Sequence, residues 1–268
     1  MTDRPRILLH PGFHKTGTSS IQHLLWTNRT ALAPHAQLRL LRHLKEPARL
    51  CMAFSRSHDP LAMLDLAEAL AAALDGIDPA RPLILSCEGL SGHLPGWPGV
   101  DSYAAAPVTI AYVAGFLADW VPEADLRVLL TLRDPESWLH SAWRHHLMGQ
   151  RLTLDWPAFR DRYRAAADLQ ASTREIRDAL DGLPVDTLDL AEMACHPQGP
   201  GGALLARFGL PADALADLIP VGRGNPGPDA ELSARFLDLN RSNVQDGTLR
   251  AEKVRLAEDH GVGGWIRP

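Results

Sequence analysis

Two short stretches of this sequence have residue types and spacings suited to holding an anion. The first is Gly12-Phe13-His14-Lys15-Thr16-Gly17-Thr18-Ser19-Ser20, which follows the apolar run Arg6–His10 and leads into a stripe of Ile21, Leu24 and Leu25. Glycines let a backbone turn tightly, and the free amides of a helix start, at its positive dipole end, favour negative charge. Lys15 adds a mobile cation, and Thr16, Thr18 and Ser19 add hydroxyl donors. The order differs from a Walker A loop, which needs a lysine directly after its second glycine. Here Thr18 follows Gly17, and the lysine stands before it.

The second stretch begins where the run Leu126–Leu132 ends in Arg133-Asp134-Pro135. Asp134 suits a helix N-cap and Pro135 the first helical position. Ser137 and Ser141 then share a helical face, so Arg133 and Ser141 can converge on one anion. An arginine fork matches a phosphate through two hydrogen bonds, which a lysine does not reproduce.

Together these residues resemble the P-loop-type sulfotransferases that use 3′-phosphoadenosine-5′-phosphosulfate (PAPS). Lys15-Thr16-Gly17-Thr18-Ser19 is similar to that family's 5′-phosphosulfate loop, and the longer His14–Gln22 segment resembles a bacterial, carbohydrate-sulfotransferase-like branch. Arg133 and Ser141, eight positions apart, resemble its 3′-phosphate pair. The resemblance implies PAPS as donor, 3′,5′-bisphosphoadenosine as product, and a hydroxyl or amine acceptor, with carbohydrates and lipids among the acceptors it admits. It also implies a late basic loop near the nucleotide, for which Arg223 in Gly222-Arg223-Gly224-Asn225 is the candidate, although the family's fuller Arg-Lys-Gly form is absent.

Sulfuryl transfer needs a clamp on the leaving phosphate, charge stabilisation and a base for the acceptor proton. Lys15 suits the second task. Glu88, directly after the run Pro82–Ser86, is the leading base candidate, since the carboxyl ends of parallel strands line the ligand crevice. His14 is the next candidate, with orientation of the loop as its competing role; His10 and His93 follow. No metal is expected, because the histidines show neither HExxH nor clustered Cys/His spacing. Trp138, Trp143, Arg144, Arg151, Trp156, Arg160, Arg162 and Arg164 read either as an acceptor frame or, preferably, as core tryptophans on a solvated basic helix face.

These residues must be carried by strands and helices in alternation. Arg6–His10, Pro82–Ser86, Leu126–Leu132 and Pro184–Leu190 read as strands, the first and third apolar enough to be covered on both faces. Helical stripes are expected at Ile21/Leu24/Leu25, at Leu61, Leu64, Ala67, Leu70, Ala71 and Leu74, and over Val108–Trp120, Pro135–Met148, Trp156–Ala167, Thr173–Leu180 and Asp229–Asn243. Ser91–Pro107 reads as a loop over one face, and His196–Gly202 and Pro220–Pro228 as breakers. The expectation is one α/β domain over residues 1–268, a three-layer sandwich with a central parallel sheet of P-loop nucleotide-binding type.

Composition limits the alternatives. With 268 residues, 46% hydrophobic, and a net charge of −5, the chain has core enough for such a domain and lacks the basic balance of a nucleic-acid binder. Cys51, Cys87 and Cys195 lie far apart, which suits reduced thiols; with no signal-like or bilayer-length apolar run, a cytoplasmic protein is expected. Two other functions compete: a P-loop kinase acting on a small molecule, and a nucleotide-binding protein of the same fold without turnover.

Overall fold

In the computed structural model, residues 4–222 and 227–262 are described. Five strands, β1 (Arg6–His10), β2 (Gln37–Leu40), β3 (Leu83–Ser86), β4 (Asp125–Leu132) and β5 (Val185–Asp189), form one parallel sheet in the order β2-β3-β1-β4-β5. The helices are α1 (Thr18–Thr27), α2 (Arg29–Leu32), α3 (Lys45–Ser57), α4 (Leu66–Ala73), α5 (Ala106–Trp120), α6 (Pro135–Gly149) and α7 (Trp156–Tyr163). They continue as α8 (Leu169–Ala179), α9 (Leu190–Ala194), α10 (Gly199–Phe208), α11 (Ala212–Ala216), α12 (Ala230–Arg241) and α13 (Asp246–Asp259).

The alternation of side chains along a strand divides the apolar residues between two cores. Ile7, Leu9, Leu83, Leu85, Val128 and Leu130 face one layer, where they meet residues of α3, α4, α5, α6, α8 and α12. Leu8, Ile84 and Leu129 face the other, with Ile21, Leu24 and Leu25 of α1 and Leu204, Leu205 and Phe208 of α10. The result is a three-layer α/β sandwich around a parallel sheet. Burying each of these side chains is worth roughly 1.5–3 kcal/mol, which is why a ten-residue helix such as α1 is stable here and would be marginal alone.

The topology places the crevice. The chain leaves β1 for α1 on one face and leaves β4 for α6 on the other, although β1 and β4 are neighbours. Connections that diverge between adjacent parallel strands open a cleft at their carboxyl ends, the usual ligand position in open α/β sheets. The Gly12–Ser20 loop follows β1 and Arg133 follows β4, so both stand at this cleft.

Several sequence expectations need correction. β2 is not expected from the pattern: Gln-Leu-Arg-Leu is short and half polar, an edge strand whose Arg39 donates to the Ala73 and Asp75 carbonyls. Leu61 and Leu64 are 67% and 70% exposed rather than core-facing. The segment starts as a 3₁₀ turn over Pro60–Met63 and only then becomes α4, so Met63, Leu66 and Leu70 take the buried positions. His196–Gly202 is not a plain spacer either, because α10 begins inside it at Gly199. Proline is tolerated in a first helical turn, and Gly201 lets α10 approach α1 where a Cβ would lie 2.7 Å from Leu24 Cβ.

Candidate functional site

The loop after β1 is held by its carbonyl groups. Ser91 Oγ donates to Gly12 O (2.7 Å), Thr16 Oγ1 to Phe13 O (2.5 Å), Trp138 Nε1 to His14 O (2.9 Å) and Arg133 Nη1 to Lys15 O (2.9 Å). Four successive carbonyls are thus fixed by side chains from the sequence-distant Ser91, Arg133 and Trp138 and from the loop itself. The backbone between them turns through left-handed conformations at Gly12 (φ 59°), Lys15 (φ 68°) and Gly17 (φ 96°). A left-handed lysine costs about 1–2 kcal/mol, and such strain gathers at functional loops. Gly17 is the N-cap of α1 without a side-chain cap, and the first helical bond runs from Ile21 N–H to Gly17 O (3.1 Å). The amides of Thr18, Ser19 and Ser20 therefore precede the helix ladder, the arrangement that suits an anion.

The candidate residues divide once placed. Thr16 does not offer its hydroxyl to a ligand as the sequence suggests. That side chain is fully buried, with Thr131 Oγ1 2.5 Å away as well as Phe13 O, and it ties the loop to β4. Thr18 is buried in the first turn of α1, and Ser19 is partly exposed beside it. Arg133 has its Nε on Ser137 Oγ at 3.0 Å, while Asp134 caps α6 by accepting from Ser137 N–H at 2.9 Å. Asp134 is therefore committed to the helix. Arg223 lies outside the described residues.

Lys15, Arg133, Ser137, His140, Ser141, Arg144, His145 and Met148, together with Gly227 and Pro228, line a cavity of about 360 Å³. Three of these residues are cations and two are serines, and no carboxylate is among them. Burial, with the nearby Arg133 charge second and partly offset by Glu88, lowers the Lys15 pKa to about 8. Burial also lowers that of Arg133, against the pull of Asp134. A buried lysine held below its ordinary pKa partly by a neighbouring arginine forms a site suited to an anion, whose charge would relieve it.

Glu88 stands in the 3₁₀ turn after β3, partly buried, and its Oε2 accepts from Gln22 Nε2 of α1 at 2.7 Å. Its charge is felt at Lys15, so the carboxylate belongs to the same edge of the sheet. Gln22 is the partner that sequence reading passed over; its place one turn into α1 was the available signal. His14 is locked at both ends of its peptide, by Tyr103 Oη and Trp138 Nε1, and its pKa falls to about 3 through burial and then the charges of His93, Lys15 and His146. A base so weak at neutral pH favours a role in shaping the loop. His10 is fully buried on Ser86 Oγ (2.8 Å), whereas His93 is partly exposed and stacked on Trp97.

The aromatic and basic residues of 138–164 also separate. Trp138 is buried, Arg151 holds Asp246 and carbonyls near α12, and Arg162 meets Asp101. Arg144 alone of the group faces the cavity. Cys51 and Cys87 are buried thiols and Cys195 is exposed. Among the described residues, no cluster of three or more His, Cys, Asp or Glu side chains is gathered for a metal ion, and no helix is long and apolar enough to cross a membrane.

No protein-family model matches this sequence, and no curated protein does so. Among solved structures, the chain is similar to one described as a sulfotransferase from Alicyclobacillus acidocaldarius, at 18% identity and a TM-score of 0.48, over 97% of this chain and 94% of that one. At that level the likeness carries no weight for chemistry.

Proposed function

We propose that this protein is a sulfotransferase that moves a sulfuryl group from PAPS to a hydroxyl or amine acceptor. The observation that carries the reading is the acid-free cavity, in which a glycine loop with Lys15 and a strand-end Arg133 with Ser141 meet at one sheet edge. Two phosphate-sized demands are matched by two cationic centres on independent elements. The loop amides and Lys15 would hold the 5′-phosphosulfate, and Arg133 with Ser141 the 3′-phosphate. Lys15 then neutralises the charge that builds on the bridging oxygen as its bond to sulfur breaks. Glu88, oriented by Gln22, takes the acceptor's proton as the new oxygen–sulfur bond forms. A carbohydrate or lipid is the acceptor class that the sequence resemblance favours.

The test is differential stabilisation. 3′,5′-Bisphosphoadenosine should raise the melting temperature well above the value with magnesium ATP, and Lys15→Ala or Arg133→Ala should remove that rise while the protein stays folded. Stabilisation by magnesium ATP alone would overturn the reading in favour of a P-loop kinase.

A further inference from the structure

We propose that Arg144 is a third ligand of the second anion subsite, and that it makes the cavity select a nucleotide bearing a 3′-phosphate. This deepens the sulfotransferase reading and rests on it.

The starting point is an unmet need. Arg144 lines the cavity, yet among the described residues it forms no ion pair or hydrogen bond; its Nε is buried without an acceptor, while its Nη atoms, equally without one, are not shut off from the cavity. A buried N–H of a charged group left without a partner is destabilising. The other cavity arginine, Arg133, is held by Ser137 and the Lys15 carbonyl. Arg144 has no such anchor, and an anion in the cavity would supply one.

Helix geometry says where that anion lies. Ser137, Ser141, Arg144 and Met148 recur at helical spacing on the cavity face of α6. Side chains on a helix lean toward its N-terminus, so Arg144 covers the turn that carries His140 and Ser141. The lowered pKa of His140, to which the Arg144 charge contributes after burial, fits that placement. His140 is itself fixed by stacking on Trp156, with ring centroids 3.6 Å apart, so it forms a rigid flank and leaves its Nδ1 without a partner. Ser141 thus shares the cavity lining with two arginines, Arg133 at the strand end and Arg144 three residues further along α6. A dianion at Ser141 is within the reach of both, and no carboxylate in the lining competes for them.

The experiment compares the binding of 3′,5′-bisphosphoadenosine and adenosine 5′-monophosphate to the wild type, Arg144→Gln and Arg144→Lys. In Arg144→Gln the bisphosphate should bind about 10–100-fold more weakly, the worth of a charge-assisted hydrogen bond, while the monophosphate stays within about twofold. Arg144→Lys should recover only part of the loss, because lysine keeps the charge without the fork. Unchanged discrimination in Arg144→Gln would overturn the assignment, as would an equal loss for both nucleotides. If the wild type itself shows no preference for the bisphosphate, the sulfotransferase reading fails along with it.

Discussion

Lys15 concentrates the chemistry of this site in one side chain whose charge is conditional. Its pKa of about 8 lies below the ordinary lysine value because burial and Arg133 disfavour the ammonium. The unfolded chain therefore binds a proton at Lys15 between about pH 8 and 10.5 that the folded chain does not, so this group's contribution to stability rises with pH across that window. A bound dianion would reverse the depression. At pH 9, binding of 3′,5′-bisphosphoadenosine should take up about one proton, and at pH 6.5 almost none. Calorimetry in buffers of different ionisation enthalpy reads that number; uptake as large at pH 6.5 as at pH 9 would assign the proton elsewhere. Glu88 has a different test, because the proposed function gives it a part with the acceptor. Glu88→Gln should lower kcat by about 100-fold or more while leaving nucleotide affinity near wild type. An active variant would remove Glu88 from the mechanism and leave the partly exposed His93 as the next base to examine.

At the scale of elements, α6 is the part on which the site depends, and it is gripped at both ends. Asp134 caps its start, and Trp138 ties its first turns to the loop after β1. At its far end, the buried Lys253 of α13 donates to Leu147 O and Gln150 O, each at 2.7 Å, and Asn240 of α12 donates to Leu147 O and Leu152 O. Removing the lysine takes one of two donors from each carbonyl, since Asn240 still serves Leu147 O and Leu152 N–H still serves Gln150 O. Lys253→Met should cost about 2 kcal/mol, lowering the melting temperature by about 4–8 °C for a chain of this size. A melt within 1–2 °C of wild type would show that α6 holds its end without Lys253.

Across the whole molecule, what could be read from the sequence follows from local physics. The four strands other than β2 stand close to where their apolar runs place them; for the inner strands β3, β1 and β4 the reason is that a strand covered on both faces must be largely apolar. The glycine loop was legible because left-handed backbone demands glycine at Gly12 and Gly17, and the α6 start because Asp134-Pro135 is a local capping signal. Other features were not legible. β2 carries too few apolar residues to announce itself, and it exists because β3 offers it an edge. Leu61 and Leu64 match a helical period, but a 3₁₀ turn shifts the phase and leaves them outside. Arg144 reads like any other arginine on a polar helix face until α6 is set against β1 and its loop.

The sequence by itself determined an alternating α/β chain with a glycine loop before a helix and a strand-end arginine, because turn, cap and strand preferences act between near neighbours. Only the tertiary structure decided that the loop and Arg133 share one cleft, that the Thr16 hydroxyl turns inward to Thr131, and that Arg144 has no hydrogen-bond or ion-pair partner among the described residues. Those outcomes depend on which strands become neighbours and on which face each connection leaves, and contacts between residues more than a hundred positions apart have no local signature.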